Sequence, residues 1–287
     1  QTSGTVTVLN DADIDGTLTL GSMTNVESSI NTNSTNISTN ASNITTNSTA
    51  ISTINNTTLG NFTSGARVYS AASNTAVGTQ SLSNISSGDY NTAIGTNALL
   101  SNTSGIDNTA TGSRSLYTNT TGSFNTASGS AALFSNTTGT SNTTAGYASL
   151  YNNTTGSYNT ASGRLALYYN TTGSSNTGLG DQALYSNTAG SYNTASGRQA
   201  LYNNTSGGTN VALGTKALYS NSTGSGNVAI GYEAGWSETG SNKLYIANGS
   251  GSSSQLVYGD FSTGDLSLGQ TSGTVTVLND ADIDGTL

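Results

Sequence analysis

Hydrophobic and polar positions recur every seventeen residues along most of the chain. Asn occupies ten positions seventeen apart, a Gly follows each of them by four residues, and Leu forms a third ladder. Members of these three ladders are Asn91, Gly95, Leu99, Asn159, Gly163 and Leu167. Seventeen residues are too few for a helical pair but suit one coil of a β-solenoid, with two short strands and two turns. The pattern predicts a mainly β fold, a ten-coil parallel β-roll over residues 74–236, about 45–50 Å tall at the usual strand spacing.

Within each coil the small and large apolar positions and the turn residues are distinct. Pairs such as Ala98-Leu99 and Ala217-Leu218 are expected to point inward as the core. The two Gly of each coil are expected where a tight turn needs positive φ or close backbone approach, with Asn beside them capping the turn. Stacked coils also predict one aromatic column, formed by Tyr117, Phe134, Tyr151, Tyr168, Tyr185, Tyr202, Tyr219 and Trp236. Such stacking is worth about 0.5–1.5 kcal/mol per pair beyond area burial.

A second aromatic pattern appears only in alternate coils. The residue before the repeat Asn is aromatic at Tyr90, Phe124, Tyr158 and Tyr192. The intervening coils carry Asp107, Ser141, Ser175 and Thr209 at that position. The row is interpreted either as a ligand-facing stripe or as a surface that packs against a neighbouring chain, and we favour packing.

Between Met23 and Ile54 the hydrophobic period changes to seven. The first seam position holds Met23, Ile30, Ile37, Ile44 and Ile51, and the position three residues later holds Val26, Asn33, Asn40, Asn47 and Ile54. This pattern predicts a parallel trimeric coiled-coil stalk over residues 23–58, because an isolated helix so rich in Ser, Thr and Asn would be unstable. Asn33, Asn40 and Asn47 are expected to converge on the trimer axis around chloride, another small anion or water, and no other cofactor is expected. The alternative is a disordered low-complexity segment, which the regular Ile spacing disfavours.

The remaining segments are interpreted as connectors. Residues 59–73 form a neck, and 237–269 form a β connector with alternating strands KLYIA, QLVYGDF and DLSLG. Residues 1–22 form another β connector, and their first eighteen recur unchanged as residues 270–287. This duplication favours a tandem array with a 269-residue period, in which 270–287 begins the next copy. The alternative is one connector duplicated at the two ends of a single subunit.

One motif carries a candidate metal site. Asp11, Asp13, Asp15 and Gly16 match the opening of a calcium loop, but Ser22 stands at the twelfth position where a bidentate Glu is needed. An acidic turn in a β connector is therefore favoured over calcium binding.

Composition narrows the function classes. The net charge is −8 with only six Lys and Arg, which argues against nucleic acid as a partner. The sequence lacks a run of about twenty apolar residues, so no membrane helix is expected. The absence of Cys and His and the sparse acidic residues disfavour an enzyme. Several repeat Asn lie in N-x-S/T sequons that glycans would occupy in a glycosylating host, among them Asn119, Asn136, Asn153 and Asn170.

These motifs resemble one family. The coils NTAIG (Asn91 to Gly95) and NVAIG (Asn227 to Gly231) are similar to head repeats of trimeric autotransporter adhesins. The stalk units INTN, ISTN and ITTN resemble the Ile-x-x-Asn layers of their coiled coils, and the run from Gly240 to Gly269 looks like connectors of bacterial surface and phage tail-fibre proteins. The resemblance implies left-handed β-rolls, three chains side by side, and anion binding by the stalk Asn. The coil here, at seventeen residues, is longer than the family repeat.

The leading hypothesis is a structural subunit of a long extracellular, cell-surface homotrimeric fibre made of tandem repeats. Its role would be surface attachment or cell–cell linkage through an unknown ligand. The second hypothesis is a phage tail fibre that binds a receptor. A third is ice or carbohydrate binding by flat Thr ladders, which include Thr126, Thr143, Thr160, Thr177 and Thr194.

Overall fold

The computed structural model describes residues 23–53, 73–251 and 254–269. Two separate compact units contain them: a helical unit within residues 1–61 and a β unit within residues 62–287. The predicted calcium loop at Asp11, Asp13 and Asp15 and the predicted repeat start at 270–287 lie outside the described residues, as does most of the predicted neck.

The helical unit is one helix, α1, over Met23–Thr53. At 1.5 Å per residue its 31 residues span about 46 Å. Several of its Ser and Thr hydroxyls donate to carbonyls one turn earlier in the helix, as Thr35 Oγ1 does to Asn31 O at 2.9 Å. Its Ile side chains, by contrast, project into solvent at Ile30, Ile37 and Ile44.

The β unit is a parallel β-solenoid of ten coils with seventeen residues per coil. Each coil contributes one three-residue strand, and each strand pairs in register with the strand seventeen residues away, as Thr92 does with Thr109. The strands are β1 (Thr75–Val77), β2 (Thr92–Ile94), β3 (Thr109–Thr111), β4 (Thr126–Ser128), β5 (Thr143–Ala145), β6 (Thr160–Ser162), β7 (Thr177–Leu179), β8 (Thr194–Ser196), β9 (Val211–Leu213) and β10 (Val228–Ile230). The solenoid and its coil length are therefore as the ladders predict.

The prediction of two strands per coil is wrong. Each complete coil has non-glycine residues with positive φ, such as Leu165 (57°), Leu167 (54°) and Ser175 (58°). These left-handed conformations bend the chain instead of extending it, so the second side of the coil is a series of turns. Hydrogen bonds still join the coils there, since Leu167 N donates to Ala183 O at 2.9 Å.

The core is narrow and built from two apolar residue types. The Ala at the centre of most strands and the Ala-Leu pair of most coils are fully buried, including Ala98-Leu99 and Ala217-Leu218. Leu is the largest side chain that is fully buried, and the Leu residues belong to one core cluster with the Ala residues. The small-then-large core predicted by the ladders is confirmed.

Three further strands close one end of the sheet. These are β11 (Lys243–Ala247), β12 (Gln255–Asp260) and β13 (Asp265–Leu268), and they lie within the three segments predicted as strands. β11 adds parallel to β10 and places Tyr245 opposite the core residue Ala229. β12 and β13 then pair antiparallel, so a meander terminates the stack of coils. Atypical end units of this kind are how repeat proteins cap an open core.

Candidate functional site

The ladder asparagines lie inside the solenoid. Asn91 and Asn159 are fully buried, and the side-chain amide of each bonds to the next coil. Asn159 Nδ2 donates to Gly173 O at 2.9 Å and to Asn142 Oδ1 at 3.1 Å, while its own Oδ1 accepts the Asn176 backbone N–H at 3.0 Å. Each amide forms hydrogen bonds with backbone carbonyl and N–H groups at the turns. The column therefore satisfies buried backbone groups that would otherwise have no hydrogen-bond partner.

A second buried asparagine column was missed by the sequence reasoning. Asn119 Nδ2 donates to Asn102 Oδ1 at 2.8 Å and to Gly122 O at 2.9 Å, and the same pair of bonds recurs up the solenoid. Its fully buried members are Asn102, Asn119, Asn136, Asn153, Asn170, Asn187, Asn204 and Asn221. Their seventeen-residue spacing, as strict as that of Leu, was the signal that could have revealed a core position.

Burial of this column bears on glycosylation. Asn119, Asn136, Asn153 and Asn170 sit in sequons, yet none of them has accessible surface. A glycan is bulky and needs a surface amide. These four sites therefore cannot carry glycans in the folded solenoid.

The two Gly ladders keep neighbouring coils close. Gly95 and Gly163 have φ near 135°, a conformation that side chains rarely adopt. A Cβ at Gly95 would lie 2.5 Å from Gly112 O in the next coil. The other ladder, represented by Gly105, has ordinary φ. A Cβ at Gly105 would nevertheless lie too close to the amide oxygen of Asn102 and to the backbone of the next coil. Both expected uses of Gly are present: special φ on the first ladder and close approach on both ladders.

The aromatic column is stacked. Ring centroids are 5.2 Å apart for Tyr151–Tyr168, 5.5 Å for Tyr168–Tyr185 and 5.0 Å for Tyr185–Tyr202. Burial and neighbouring phenols raise the pKa of Tyr168 and Tyr202 above the ordinary value for tyrosine. The column ends at Trp236, whose ring lies 4.6 Å from Lys216 Nζ in a cation–π contact. These rings cover one another, so they act as a structural seam.

The alternating aromatic row is different because its rings are exposed. Tyr90, Phe124, Tyr158 and Tyr192 are 56–68% exposed. All four have φ between 58° and 61°, so each ring projects from the bend that precedes the buried Asn. Within the described residues no ring contact involves any of them. This is the most exposed aromatic set on the solenoid.

The Thr ladder forms a column on the strand face. The first residue of each strand from β1 to β8 is Thr, and the third is mixed, for example Ile94, Ser128 and Leu179. Only β3, with Thr109 and Thr111, carries Thr at both outward positions. The Thr array is thus one residue wide, which is a narrow basis for ice binding.

A cavity lies where the solenoid meets the meander. It has a volume of about 230 Å³ and is lined in part by Trp236, Glu238, Tyr245 and Gln255. The Glu238 carboxylate is committed to structure, because it accepts a hydrogen bond from the Tyr245 hydroxyl and N–H bonds from Thr239 and Gly240. Burial and this contact raise the pKa of Tyr245. Both titratable side chains named here are therefore engaged in hydrogen bonds to each other and to backbone.

The remaining candidate residues are placed as follows. Asn33, Asn40 and Asn47 are exposed on α1 along the seam that also contains Ile30, Ile37 and Ile44. In the described part of the chain, no three His, Cys, Asp or Glu side chains lie close enough together to hold a metal ion. Among the same residues, no helix has the length and apolar character that a membrane span requires.

Comparisons with protein-family models, with curated proteins and with solved structures find no match to this chain. Its function is therefore inferred from its own surfaces.

Proposed function

We propose that this chain is a structural subunit of a long extracellular homotrimeric fibre that mediates surface attachment or cell–cell linkage. The observation that carries the proposal is the row of exposed isoleucines on α1. Ile30, Ile37 and Ile44 are 61–69% exposed at heptad spacing, whereas the side chains around them are Ser, Thr and Asn.

Such a helix needs partners. Ser, Thr and Asn have poor helix propensity, and isolated polar helices are marginal in water. Burying each exposed Ile against other chains contributes about 1.5–3 kcal/mol, which compensates for this weakness. A parallel trimer also lets Asn33, Asn40 and Asn47 face their copies across the axis, where three amides coordinate a small anion or water.

The solenoid suits a fibre for a separate reason. Each coil contacts its adjacent coils, so stability is a sum of contacts between neighbours along one axis. A longer solenoid therefore needs more coils but the same core. Its sequence is rich in Ser and Thr and contains few charged residues. The resemblance to trimeric autotransporter adhesins and the repeated eighteen-residue segment support the same interpretation, a fibre of alternating rods and rolls.

The oligomeric mass of the full chain tests the proposal. Sedimentation equilibrium should give three times the 28.8 kDa chain mass. Replacing a seam residue, as in Ile37→Ser, should shift the trimer toward monomer because the association loses apolar burial at three sites. The matched control is Ser38→Ala, an exposed position off the seam whose hydroxyl bonds to its own helix, and it should leave the mass unchanged. A wild-type chain that sediments as a monomer at micromolar concentration overturns the proposal.

A further inference from the structure

We propose that the exposed aromatic row binds an extended β-1,4-linked polysaccharide, of the glucan or chitin type, along the solenoid axis. The row consists of Tyr90, Phe124, Tyr158 and Tyr192. This inference names an attachment target for the proposed fibre and rests on that function for its biological meaning, although the row belongs to a single solenoid.

The spacing of the rings is the first argument. The four positions are two coils apart, which is about 10 Å at the usual strand spacing. Rings in consecutive coils stack on one another, as in the column containing Tyr151 and Tyr168 at 5.2 Å. Alternate placement prevents that stacking and leaves each ring face open. A row selected for internal packing would gain by filling every coil, and this row does not.

The ligand chemistry follows from that spacing. Sugar rings present apolar C–H faces that pack on aromatic rings. In a β-1,4-linked chain each sugar is turned over relative to the previous one, so equivalent faces recur once per disaccharide. The disaccharide length is close to two strand spacings, about 10 Å. Four rings therefore match four successive disaccharides on one straight chain.

The residues between the rings supply the polar part of such a site. Ser141, Ser175 and Thr209 carry hydroxyls and Asp107 carries a carboxylate at the same bend of the intervening coils. Hydroxyls and carboxylates are the donors and acceptors that hold sugar hydroxyls. Bases of single-stranded nucleic acid also stack on aromatic rows, but the coils over residues 74–236 carry four acidic and four basic side chains, so they present no net positive charge to a phosphate backbone.

Binding is tested on the full chain with insoluble cellulose and chitin in pull-down assays and with cellohexaose by calorimetry. The double variant Phe124→Ala with Tyr158→Ala should weaken binding at least about tenfold, because two central stacking platforms are lost. The control Tyr147→Ala removes an exposed ring that is not part of the row, and it should alter affinity less than about twofold. Ala folds well at positive φ in this chain, as Ala131 and Ala148 show, and circular dichroism verifies the fold.

A second variant distinguishes stacking of sugar rings from nonspecific adsorption by exposed aromatic side chains. Ser141→Tyr with Ser175→Tyr adds rings at one-coil spacing, which should stack on Phe124, Tyr158 and Tyr192 and cover their faces. We expect polysaccharide binding to fall although the surface becomes more aromatic. Stronger binding by this variant, or no binding of either polymer by the wild type, overturns the proposal.

Sedimentation of the row variants distinguishes this proposal from the fibre. Their oligomeric mass should equal that of the wild type. Loss of the oligomer in Phe124→Ala with Tyr158→Ala would show that the row packs against another chain and would overturn polysaccharide binding there. A monomeric wild type that still binds cellulose or chitin would instead overturn the fibre and leave the row intact.

Discussion

Asparagine performs two tasks in each coil that backbone alone cannot perform. In the bends the chain leaves the strand conformation, and several carbonyl and amide groups turn toward the core. Asn159 and its counterparts donate to a Gly carbonyl and accept a backbone N–H, while the column containing Asn119 bonds to its own turn and to the previous coil. The core is therefore part apolar and part amide, and both parts are buried.

Removing one of these amides should be costly. In Asn159→Ala the Asn176 N–H loses its acceptor and a void replaces the amide, so we expect a loss of about 2–4 kcal/mol in the free energy of unfolding. Urea denaturation measures the change. The control is Asn152→Ala, because Asn152 is only part-buried and makes one bond, to Tyr168 O at 3.0 Å. Equal effects of the two substitutions would contradict a core role for the ladder.

Two glycines of one coil should respond to alanine in opposite ways. Gly178 replaces the strand Ala that its neighbours carry, its φ is ordinary, and a Cβ there meets Leu167 at an acceptable 3.4 Å. Gly178→Ala should stabilise by about 0.5–1 kcal/mol by reducing unfolded-chain entropy. Gly180 has φ 130°, and a Cβ would lie 2.7 Å from Gly197 O.

Gly180→Ala should therefore lower the free energy of unfolding by about 1–3 kcal/mol. Thermal unfolding of both variants beside the wild type checks the pair. Two melting temperatures displaced in the same direction would refute the distinction between the two Gly positions.

At the scale of the element, the length of the coil was predictable from the sequence, but the backbone conformation within each coil was not. The ladders identified the repeat, the inward Ala and Leu, and the stacked aromatic column, because each depends only on which residues recur. The single strand per coil could not be found this way. Leu167 is a good core residue by type, and its left-handed φ arises from hydrogen bonds to Ala183 and other groups in neighbouring coils. Buried Asn was missed for the related reason that an amide's partners are set by the turns.

The meander element carries a pH-dependent contact. The Lys243 ammonium donates to the Asp260 carboxylate, as do the Ser262 hydroxyl and N–H, and these bonds hold the pKa of Asp260 well below its usual range. A lowered folded-state pKa contributes stability that is complete above the ordinary pKa near 3.8 and lost as pH falls below it. The meander should therefore weaken in acid.

Comparison with Asp260→Asn tests this expectation by urea unfolding. The variant should be less stable than the wild type at pH 7, and the difference should shrink as the pH falls below about 3.8, because the unfolded wild-type chain then takes up a proton at Asp260 that the folded carboxylate resists. Asp265→Asn is the control, since Asp265 is exposed and accepts a bond from the Thr263 hydroxyl. A difference that stays constant with pH would contradict the assignment.

At the scale of the whole molecule, the sequence predicted the solenoid but only suggested its use. The alternating aromatics were recognised as a pattern, yet the sequence left open whether they face a ligand or another chain. Exposure and the absence of ring contacts in the described solenoid separate them from the stacked column. Binding of a polysaccharide by the row rests on its two-coil spacing and is a proposal. The seam of α1 remains a prediction of trimerisation, because a heptad specifies that partners exist more firmly than it specifies their number.

Uniform coil-to-coil contacts have a consequence for how this molecule varies in evolution. Because every coil meets its neighbours through the same bonds, unequal recombination between near-identical repeats can delete or insert whole coils without damaging the core. The aromatic row, however, has twice that period. Loss of one coil would bring two rings into adjacent coils or two gaps side by side, whereas loss of two coils would preserve the alternation. If the row is under selection, variants of this chain should gain or lose coils in even numbers. An even difference in coil number among variants would then indicate that the spacing of the row is functional.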